Sequence, residues 1–443
     1  MHGGLRYLEH REVALVRESL RERERLLRIA SHLVRPLPLL IPIYGGDRRG
    51  PLLIRAGMLA YDALSYDKSL PRHRMLSRDA ALAEAPGLDP RGLRGAALYY
   101  DAQVEYAERL AVESMLDARD HGAEVRLYTA VTALDWDGGD ISGVRARDEL
   151  TGEEFRFAAR AVLNVAGPWV DQVLAGGPPA PPRLIGGTKG SHIVVEPFPG
   201  APRDALYVEA RADGRPYFIV PWNGLCLIGT TDERYDGDLD FVAASDHEIA
   251  YLLDETNRVI PGAGLQDADV RWSYAGVRPL PHVAHGAAGA ITRSHVIVDH
   301  GRRGGLRGLY SIVGGKLTTY RELAEQAVDA VAAAAGFPAA PCRTAAEPLP
   351  GARGLAPADS LFAAIPPRSA DHLRRVYGHR AADVLALADA ADLLSPFDPW
   401  SGAIAAEVVY AVRREGARTL SDILARRTMA GVGADPSVGA DDA

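Results

Sequence analysis

Three stretches of the chain place a cation beside glycine or at the end of an apolar run, where an anion could bind. They are V-G-G-K-L-T-T-Y-R with Lys316, W-S-Y-A-G-V-R-P-L with Arg278, and A-I-T-R-S with Arg293. A guanidinium held at a strand end can bind a carboxylate or phosphate through two parallel hydrogen bonds. Taken alone, each stretch is explained equally well by a structural ion pair or an ordinary strand-to-helix turn.

The start of the chain, M-H-G-G-L-R-Y-L-E, carries side chains of the types that line catalytic sites. His2 could act as a general base, Arg6 as an anion ligand and Tyr7 as a hydrogen-bond donor. Fraying of a free terminus, with no role for any of the three, is the alternative that these residues alone favour.

Two segments predict the strand, glycine turn and helix of a parallel sheet. Residues 161–165 and 309–313 are apolar runs, and each leads through glycine into a helix-forming sequence. Apolar strands of this kind are covered on both faces. Glycines at the turn let backbone amides approach a ligand, and the next helix directs its positive end towards it. We therefore expect a ligand site where these two strands end.

The remaining pattern predicts an α/β protein with a second, largely antiparallel sheet. Period-2 runs and turn residues indicate strands, and apolar residues at helical spacing indicate helices. The predicted helices are 9–35, 51–66, 101–122, 246–259 and a separate bundle within 358–430; the predicted extended segments are 35–44, a meander within 125–157, and short runs of 183–300 that include H-V-I-V-D (295–299).

Composition excludes several classes of protein. The net charge of −8 gives no basic field that would attract nucleic acid. Two cysteines form no disulfide framework, and the absence of C-x-x-C and H-E-x-x-H spacing predicts no metal site, so we expect a protein of the reducing cytoplasm. No apolar run reaches the roughly 18 residues of a membrane span, and the Arg- and Glu-rich start is unlike a secretory signal.

Seven motifs then stand along the chain in a recognisable order: H-G-G-L-R-Y-L-E, N-V-A-G-P-W-V, K-G-S-H-I-V-V, I-G-T-T-D, Y-A-G-V-R-P-L, A-I-T-R and G-G-K-L-T-T-Y-R-E-L-A-E. In this order they closely resemble the FAD-dependent glycerol-3-phosphate dehydrogenases, the quinone-linked enzymes of glycerol catabolism. Residues 406–428 resemble the C-terminal helical domain of that family. The resemblance covers essentially the whole chain.

The resemblance implies a discontinuous, incomplete Rossmann-like FAD-binding domain, an antiparallel-sheet substrate domain and a C-terminal helical domain. The implied bounds are 1–35, 97–182 and 300–340 for the FAD-binding domain; 36–96 and 183–299 for the substrate domain; 341–357 for a linker; 358–430 for the helical domain; and 431–443 for a disordered tail.

The resemblance also implies a reaction and its residues. Oxidation of sn-glycerol 3-phosphate to dihydroxyacetone phosphate would transfer a hydride to FAD, and electrons would pass to quinone at the membrane surface, with a homodimer as a further expectation. The implied catalytic residues are His2, Arg278 and Lys316; the implied substrate ligands are Arg6, Tyr7, Arg278, Arg293 and Lys316; the implied FAD contacts are Ala166, Gly167, Gly314, Gly315, Leu317 and Thr318. Val165 departs from the family pattern, which favours a small polar residue there.

One element of the family pattern is not found. In that family the H-G-G-L-R-Y-L-E motif follows a flavin-binding strand, G-x-G-x-x-G turn and helix, and no such segment occurs in these 443 residues. We expect either an incomplete gene product or a start codon placed too late, and the late start predicts in-frame codons for that segment upstream of Met1. Loss of a central strand would weaken folding or FAD binding, because each buried unpaired backbone group costs about 1–3 kcal/mol.

Two alternatives therefore stay open beside a quinone-linked flavoenzyme. The chain could be an inactive remnant that serves as a binding or structural module, in which case the purified protein would be colourless. It could also be an oxidase that passes electrons to oxygen, in which case it would consume oxygen with glycerol 3-phosphate when quinone is absent.

Overall fold

The computed structural model describes residues 1, 3–9, 11–178, 182–284, 291–338, 340–354 and 358–433. Its helices are α1 (Val13–Ile29), α2 (Pro51–Leu64), α3 (Arg78–Glu84), α4 (Ala107–Asp120), α5 (Val170–Ala175), α6 (Asp246–Val259), α7 (Tyr320–Ala335), α8 (Pro367–Val376), α9 (Ala381–Leu385), α10 (Ala405–Arg414) and α11 (Ala430–Gly433).

Its strands form three sheets. They are β1 (Val34–Tyr44), β2 (Arg74–Ser77), β3 (Leu93–Val104), β4 (Thr129–Asp137), β5 (Asp140–Asp148), β6 (Glu154–Ala158), β7 (Val162–Asn164), β8 (Thr188–Val195), β9 (Ala205–Glu209), β10 (Pro216–Trp222), β11 (Leu225–Gly229), β12 (Glu233–Arg234), β13 (Val270–Arg278), β14 (Val296–Asp299) and β15 (Leu309–Val313).

The largest sheet has the strand order β12-β8-β11-β10-β9-β1-β3-β2, and β13 pairs with β8 as well. β1 contains three prolines, yet it is an interior strand. Its pairing with β9 is confined to Leu39 and Leu40, so Pro36, Pro38 and Pro42 lie where β9 requires no amide from β1. The prolines therefore exclude a helix here without breaking the sheet.

Alternation along β1 separates the two faces of this sheet. Leu39, Ile41 and Ile43 pack with α1 and α2 on one face. Leu40 packs on the other face, with the core that includes Leu252 and other side chains of α6. Successive side chains of a strand point to opposite faces, so one strand contributes to both cores.

A smaller sheet has the order β14-β15-β7, and β15 runs parallel to β7 with Leu309 opposite Val162. This confirms the parallel pair that the two apolar runs predicted. The third sheet is the antiparallel meander β4-β5-β6, as predicted. The helix at 246–259 also forms over the predicted residues, and Ser245 and Glu248 cap its start reciprocally.

Several predicted boundaries are wrong. β3 runs from Leu93 to Val104, so the proposed domain boundary between 96 and 97 divides a strand of the large sheet, and the helix predicted from 101 begins at Ala107. Helix α1 spans Val13–Ile29 rather than 9–35. β14 pairs antiparallel with β15, which moves 296–299 from the large sheet to the sheet that contains β15 and β7. Pairing partners far along the chain decide these assignments, and periodicity does not show them.

The C-terminal helices do not form a separate bundle. Leu26 of α1 and Leu110 of α4 share one core with Leu373, Tyr377 and Tyr410. The predicted linker takes part as well, because the amide of Leu349 donates to the carbonyl of Ile29 at 2.7 Å. Residues 431–433 belong to α11, while 434–443 of the predicted tail and 355–357 of the predicted linker lie outside the described residues.

Within the described ranges, no helix combines the length and apolarity that crossing a bilayer requires.

Candidate active site

Two of the arginines singled out by sequence share one carboxylate. Nη1 of Arg278 donates to Oδ1 of Asp232 at 3.1 Å, and Nη2 of Arg293 donates to Oδ2 at 3.2 Å. Nη2 of Arg278 also donates to Oγ1 of Thr230 at 3.0 Å. Nη1 of Arg293 is buried and has no hydrogen-bond partner in the part of the chain that the structure describes. The pair thus keeps a donor for an anion.

The opening loop, which contains Gly3 and Gly4, is hydrogen-bonded to a buried aspartate on β3. The amide of Gly3 donates to Oδ1 of Asp101 at 3.1 Å, and the same atom accepts from Tyr61 at 2.8 Å and Arg23 at 2.7 Å. A Cβ on Gly3 would lie 2.2 Å from the Tyr61 hydroxyl, and Gly4 has a φ of +81°. The two glycines of the H-G-G motif therefore let the loop fit against β3 and α2.

Arg6 and Lys316 both contact the ring of Tyr7. The guanidinium carbon of Arg6 lies 5.2 Å from the ring centroid and Nζ of Lys316 lies 5.0 Å from it. Nζ of Lys316 also donates to Oγ of Ser19 on α1 at 2.9 Å. Burial lowers the pKa of Lys316 to about 7, although the carboxylates of Asp101 and Glu18 raise it in part. The amine can therefore gain or lose a proton near neutral pH.

The two groups of cations form a single cluster. The amide of Gly314 donates to the carbonyl of Pro279, directly after Arg278, at 2.8 Å, and a Cβ on Gly314 would lie 2.7 Å from the carbonyl of Ser294, directly after Arg293. Burial lowers the pKa of Arg278, Asp232 raises it, and the charges of Arg293 and Arg6 lower it further. The charge of Arg6 also lowers the pKa of Lys316, so Arg6 lies near both Arg278 and Lys316.

The glycine turns at the ends of β7 and β15 fit a large, partly apolar group. Gly167, Gly314 and Gly315 have positive φ values of 58°, 79° and 113°, a conformation that glycine adopts without strain, and they lie where the two parallel strands end. Val165 and Leu317 are 64% and 54% exposed beside these turns. Ligands of parallel sheets bind outside the carboxyl ends of the strands. These turns therefore suit the flavin that the sequence implied.

Asn164 shapes the first of these turns. Its side-chain amide donates to the carbonyl of Val170 at 3.0 Å, and its side-chain oxygen accepts from the amide of Ala166 at 3.2 Å. Thr318, in the second turn, is buried, and Lys316 precedes the 3₁₀ turn that leads into α7. The first turn is thus fixed by two hydrogen bonds of the Asn164 side chain.

A cavity of about 700 Å³ lies away from this cluster. Its lining includes Ala161, before β7, and Gly308, before β15, so it adjoins the opposite ends of the same strands. None of the predicted site residues lines it.

His2, the predicted base, lies outside the described residues. Sequence reasoning missed three residues that position the site. Asp232 binds Arg278 and Arg293, Ser19 binds Lys316, and Asp101 binds the loop at the start of the chain. A signal existed only for Asp232, which ends the I-G-T-T-D motif. Within the described ranges, no three or more His, Cys, Asp or Glu side chains are grouped to hold a metal ion.

Comparison with known proteins agrees with this architecture. Residues 1–321 match the family described as FAD dependent oxidoreductase, and residues 342–440 match the C-terminal domain of alpha-glycerophosphate oxidase. The chain is 50% identical to a glycerol-3-phosphate dehydrogenase of Synechocystis sp., over 97% of this chain and 80% of that protein. It is 38% identical to one of Mycobacterium leprae, over 96% of this chain and 72% of that protein.

A solved structure supports the same family. The glycerol-3-phosphate dehydrogenase of Bacillus halodurans, complexed with FAD, superposes with a TM-score of 0.71 at 29% identity, over 92% of this chain and 75% of that one. The predicted fold class and family are thereby confirmed. The chain belongs to the FAD-dependent oxidoreductases and, among them, to the glycerol-3-phosphate dehydrogenase family.

Proposed function

We propose that this chain oxidises sn-glycerol 3-phosphate to dihydroxyacetone phosphate with FAD. The observation that carries the proposal is the cluster in which Arg278 and Arg293 share Asp232 beside the loop of Lys316. Paired guanidiniums suit a phosphate monoester, and a base that titrates near neutral pH suits an alcohol that loses a proton. The names of the relatives support the same substrate.

Each cation has a separate task in this proposal. Arg278 and Arg293 bind the phosphate, and Arg6 adds positive charge at the same site. Lys316, held between Ser19 and the Tyr7 ring, takes the hydroxyl proton or donates a hydrogen bond to the developing carbonyl oxygen. His2 remains the second proposed base. The Tyr7 ring covers Lys316 and limits the access of water.

The flavin would be held by the two glycine turns. Ala166 and Gly167 would contact its middle, and Gly314, Gly315, Leu317 and Thr318 would contact the end nearer Lys316. When bound, FAD supplies the acceptor for the hydride that leaves carbon 2. Backbone amides at these turns and the start of α7 would orient it.

We propose quinone as the final electron acceptor and peripheral association with the cytoplasmic membrane. Helix α2 supports this, because Leu52 is 83% exposed and Leu53, Leu59 and Arg55 are exposed on the same helix. Apolar residues beside arginine suit an anionic lipid surface. Leu52→Asp with Leu59→Asp should abolish sedimentation with anionic vesicles. A change in oligomeric state instead would assign the face to the proposed homodimer.

Turnover of the flavin-loaded protein tests the proposed reaction. Addition of glycerol 3-phosphate should bleach the flavin absorbance band under anaerobic conditions, and dihydroxyacetone phosphate should form when a quinone analogue is added. Glycerol without phosphate should react far more slowly. Bleaching that is equally fast with glycerol, or none with either compound, would refute the proposal.

The oxidase alternative is not favoured, since these relatives are named dehydrogenases. Oxygen uptake that matches product formation without quinone would restore it.

A further inference from the structure

We propose that Asp232 is the positioning residue of the phosphate site. In this proposal its carboxylate holds the guanidiniums of Arg278 and Arg293 side by side, so that both address the same phosphate monoester. The inference rests on the proposed function, because it takes glycerol 3-phosphate as the ligand of the two arginines. It adds a residue that neither the sequence motifs nor the family resemblance had assigned to the site.

The contacts define the arrangement. Each carboxylate oxygen of Asp232 accepts from a different arginine, at 3.1 Å from Arg278 and 3.2 Å from Arg293. Two guanidiniums held this close repel each other, and the repulsion is strong where water is excluded. Asp232 is 7% exposed and Arg293 is 5% exposed. A shared carboxylate offsets the repulsion and fixes the direction of both groups.

The backbone at Asp232 is fixed by hydrogen bonds of the preceding residue. Thr231, its neighbour in the chain, donates to Glu248 at 2.6 Å and accepts from the amide of Ser191 at 2.8 Å. Glu248 is fully buried and also pairs with Lys189 at 2.7 Å. The turn after β11 is therefore bound to α6 and β8, and these contacts limit movement of Asp232.

The arginine pair retains a hydrogen-bond donor that an anion could use. Nη1 of Arg293 is buried without a hydrogen-bond partner in the described chain, and Arg278 keeps part of its side chain exposed. A buried donor without a partner is costly, and a phosphate oxygen would satisfy it. After Asp232 neutralises one of the two arginine charges, one positive charge of the pair and that of Arg6 remain for the dianion.

Binding and turnover of the flavin-loaded protein test the proposal. We compare the wild-type protein with Asp232→Asn, which removes the charge but keeps the shape, and with Asp232→Glu, which keeps the charge on a longer side chain. The matched control is Asp236→Asn, since Asp236 pairs with Arg183 at the surface at 2.6 Å. Calorimetric titrations with glycerol 3-phosphate and with inorganic phosphate give Kd, and steady-state rates give KM and kcat.

For Asp232→Asn we expect Kd and KM for glycerol 3-phosphate to rise about 10- to 100-fold, as for the loss of one partner of a buried charge pair. The value of kcat at saturation should change only a few-fold, and the flavin content should stay at the wild-type level. Asp232→Glu should lie between wild type and Asp232→Asn. Asp236→Asn should match the wild type in every measurement.

Unchanged phosphate and glycerol 3-phosphate affinities in Asp232→Asn would overturn the proposal. A fall in kcat at unchanged KM would overturn it as well. If Asp232→Asn does not fold, the Kd of Asp232→Glu for glycerol 3-phosphate tests the proposal instead. An unchanged Kd for that variant contradicts the positioning role. Wild-type protein that binds glycerol 3-phosphate without oxidising it refutes only the proposed function, whereas wild-type protein that binds neither ligand refutes both.

Discussion

Nζ of Lys316 lies 2.9 Å from Oγ of Ser19, and this hydrogen bond joins two residues that are 297 positions apart in the chain. Ser19 is fully buried on α1, and Lys316 precedes α7. The serine fixes the lysine amine at one place above the ring of Tyr7. The proton chemistry proposed for the site depends on that placement.

The pH dependence of turnover should follow Lys316. Burial lowers its pKa to about 7, so the fraction of neutral amine, and with it kcat/KM, should rise through pH 7 and level off above it. Lys316→Met should reduce kcat by about 10²- to 10⁴-fold and remove this rise. Lys68→Met, which removes a lysine paired with Asp62, is the control. A rise that persists in Lys316→Met would assign it to another group.

Ser19→Ala should shift that pH profile to lower pH. The hydroxyl accepts a hydrogen bond from the charged amine, so its removal disfavours the protonated form and lowers the pKa of Lys316 further. Steady-state rates between pH 5 and pH 9 measure the shift. Ser401→Ala removes a serine hydroxyl that donates to Asp398 among the C-terminal helices, and should leave the midpoint in place. A midpoint that moves upward in Ser19→Ala would contradict the expectation.

Gly190→Ala should impair substrate binding, whereas the facing glycine should tolerate alanine. A Cβ on Gly190 would lie 2.0 Å from Nη2 of Arg278 and would displace the guanidinium. Gly276, its partner on β13, has no atom within 4 Å of the corresponding position. KM for glycerol 3-phosphate should therefore rise about tenfold or more in Gly190→Ala and stay constant in Gly276→Ala. Equal KM values for the two variants would exclude the steric argument.

Glu248→Gln should destabilise the protein at neutral pH but not in acid. Burial raises the pKa of Glu248, but hydrogen bonds from Lys189, Ser245, Thr231 and Ser191 outweigh this and lower it to about 2. A carboxyl whose pKa falls on folding stabilises the native state above its unfolded pKa, about 4.3, and loses that effect as the pH falls towards 2.

Urea unfolding measures this effect. The free energy of unfolding of Glu248→Gln should be lower than that of the wild type by about 2–4 kcal/mol at pH 7, and the difference should shrink between pH 5 and pH 3. A difference that does not depend on pH would show that side-chain shape, not charge, matters at this position.

The sequence predicted those parts of the fold that local pattern determines. The prolines of 35–44 excluded a helix, and the helix predicted at 246–259 forms over those residues. The strand end at Val104 could not be predicted, because D-A-Q-V is extended only through pairing with β1. For the same reason the run at 295–299 was assigned to the wrong sheet, since its partner is β15.

In the candidate site, too, residues in local sequence patterns were predicted and residues connected only by tertiary contacts were not. Glycines beside Lys316, and an arginine before proline at 278, are local patterns, and both residues lie in the cluster. Asp232 ends the I-G-T-T-D motif, but the motif does not show that this aspartate pairs with two arginines. Its partners lie 46 and 61 residues further along the chain. Ser19 sits among charged residues of an ordinary helix, and only the tertiary structure connects it with Lys316.

The core shared by α1 and the C-terminal helices has a consequence for biosynthesis. Leu26 and Ile29 emerge early from the ribosome, whereas Tyr377 and Tyr410, against which their core closes, are translated more than 340 residues later. Contacts of such sequence separation form late and slowly. Until the C-terminal helices have been translated, Leu26 and Ile29 lack part of their final core, so their exposed apolar surface favours aggregation during that interval.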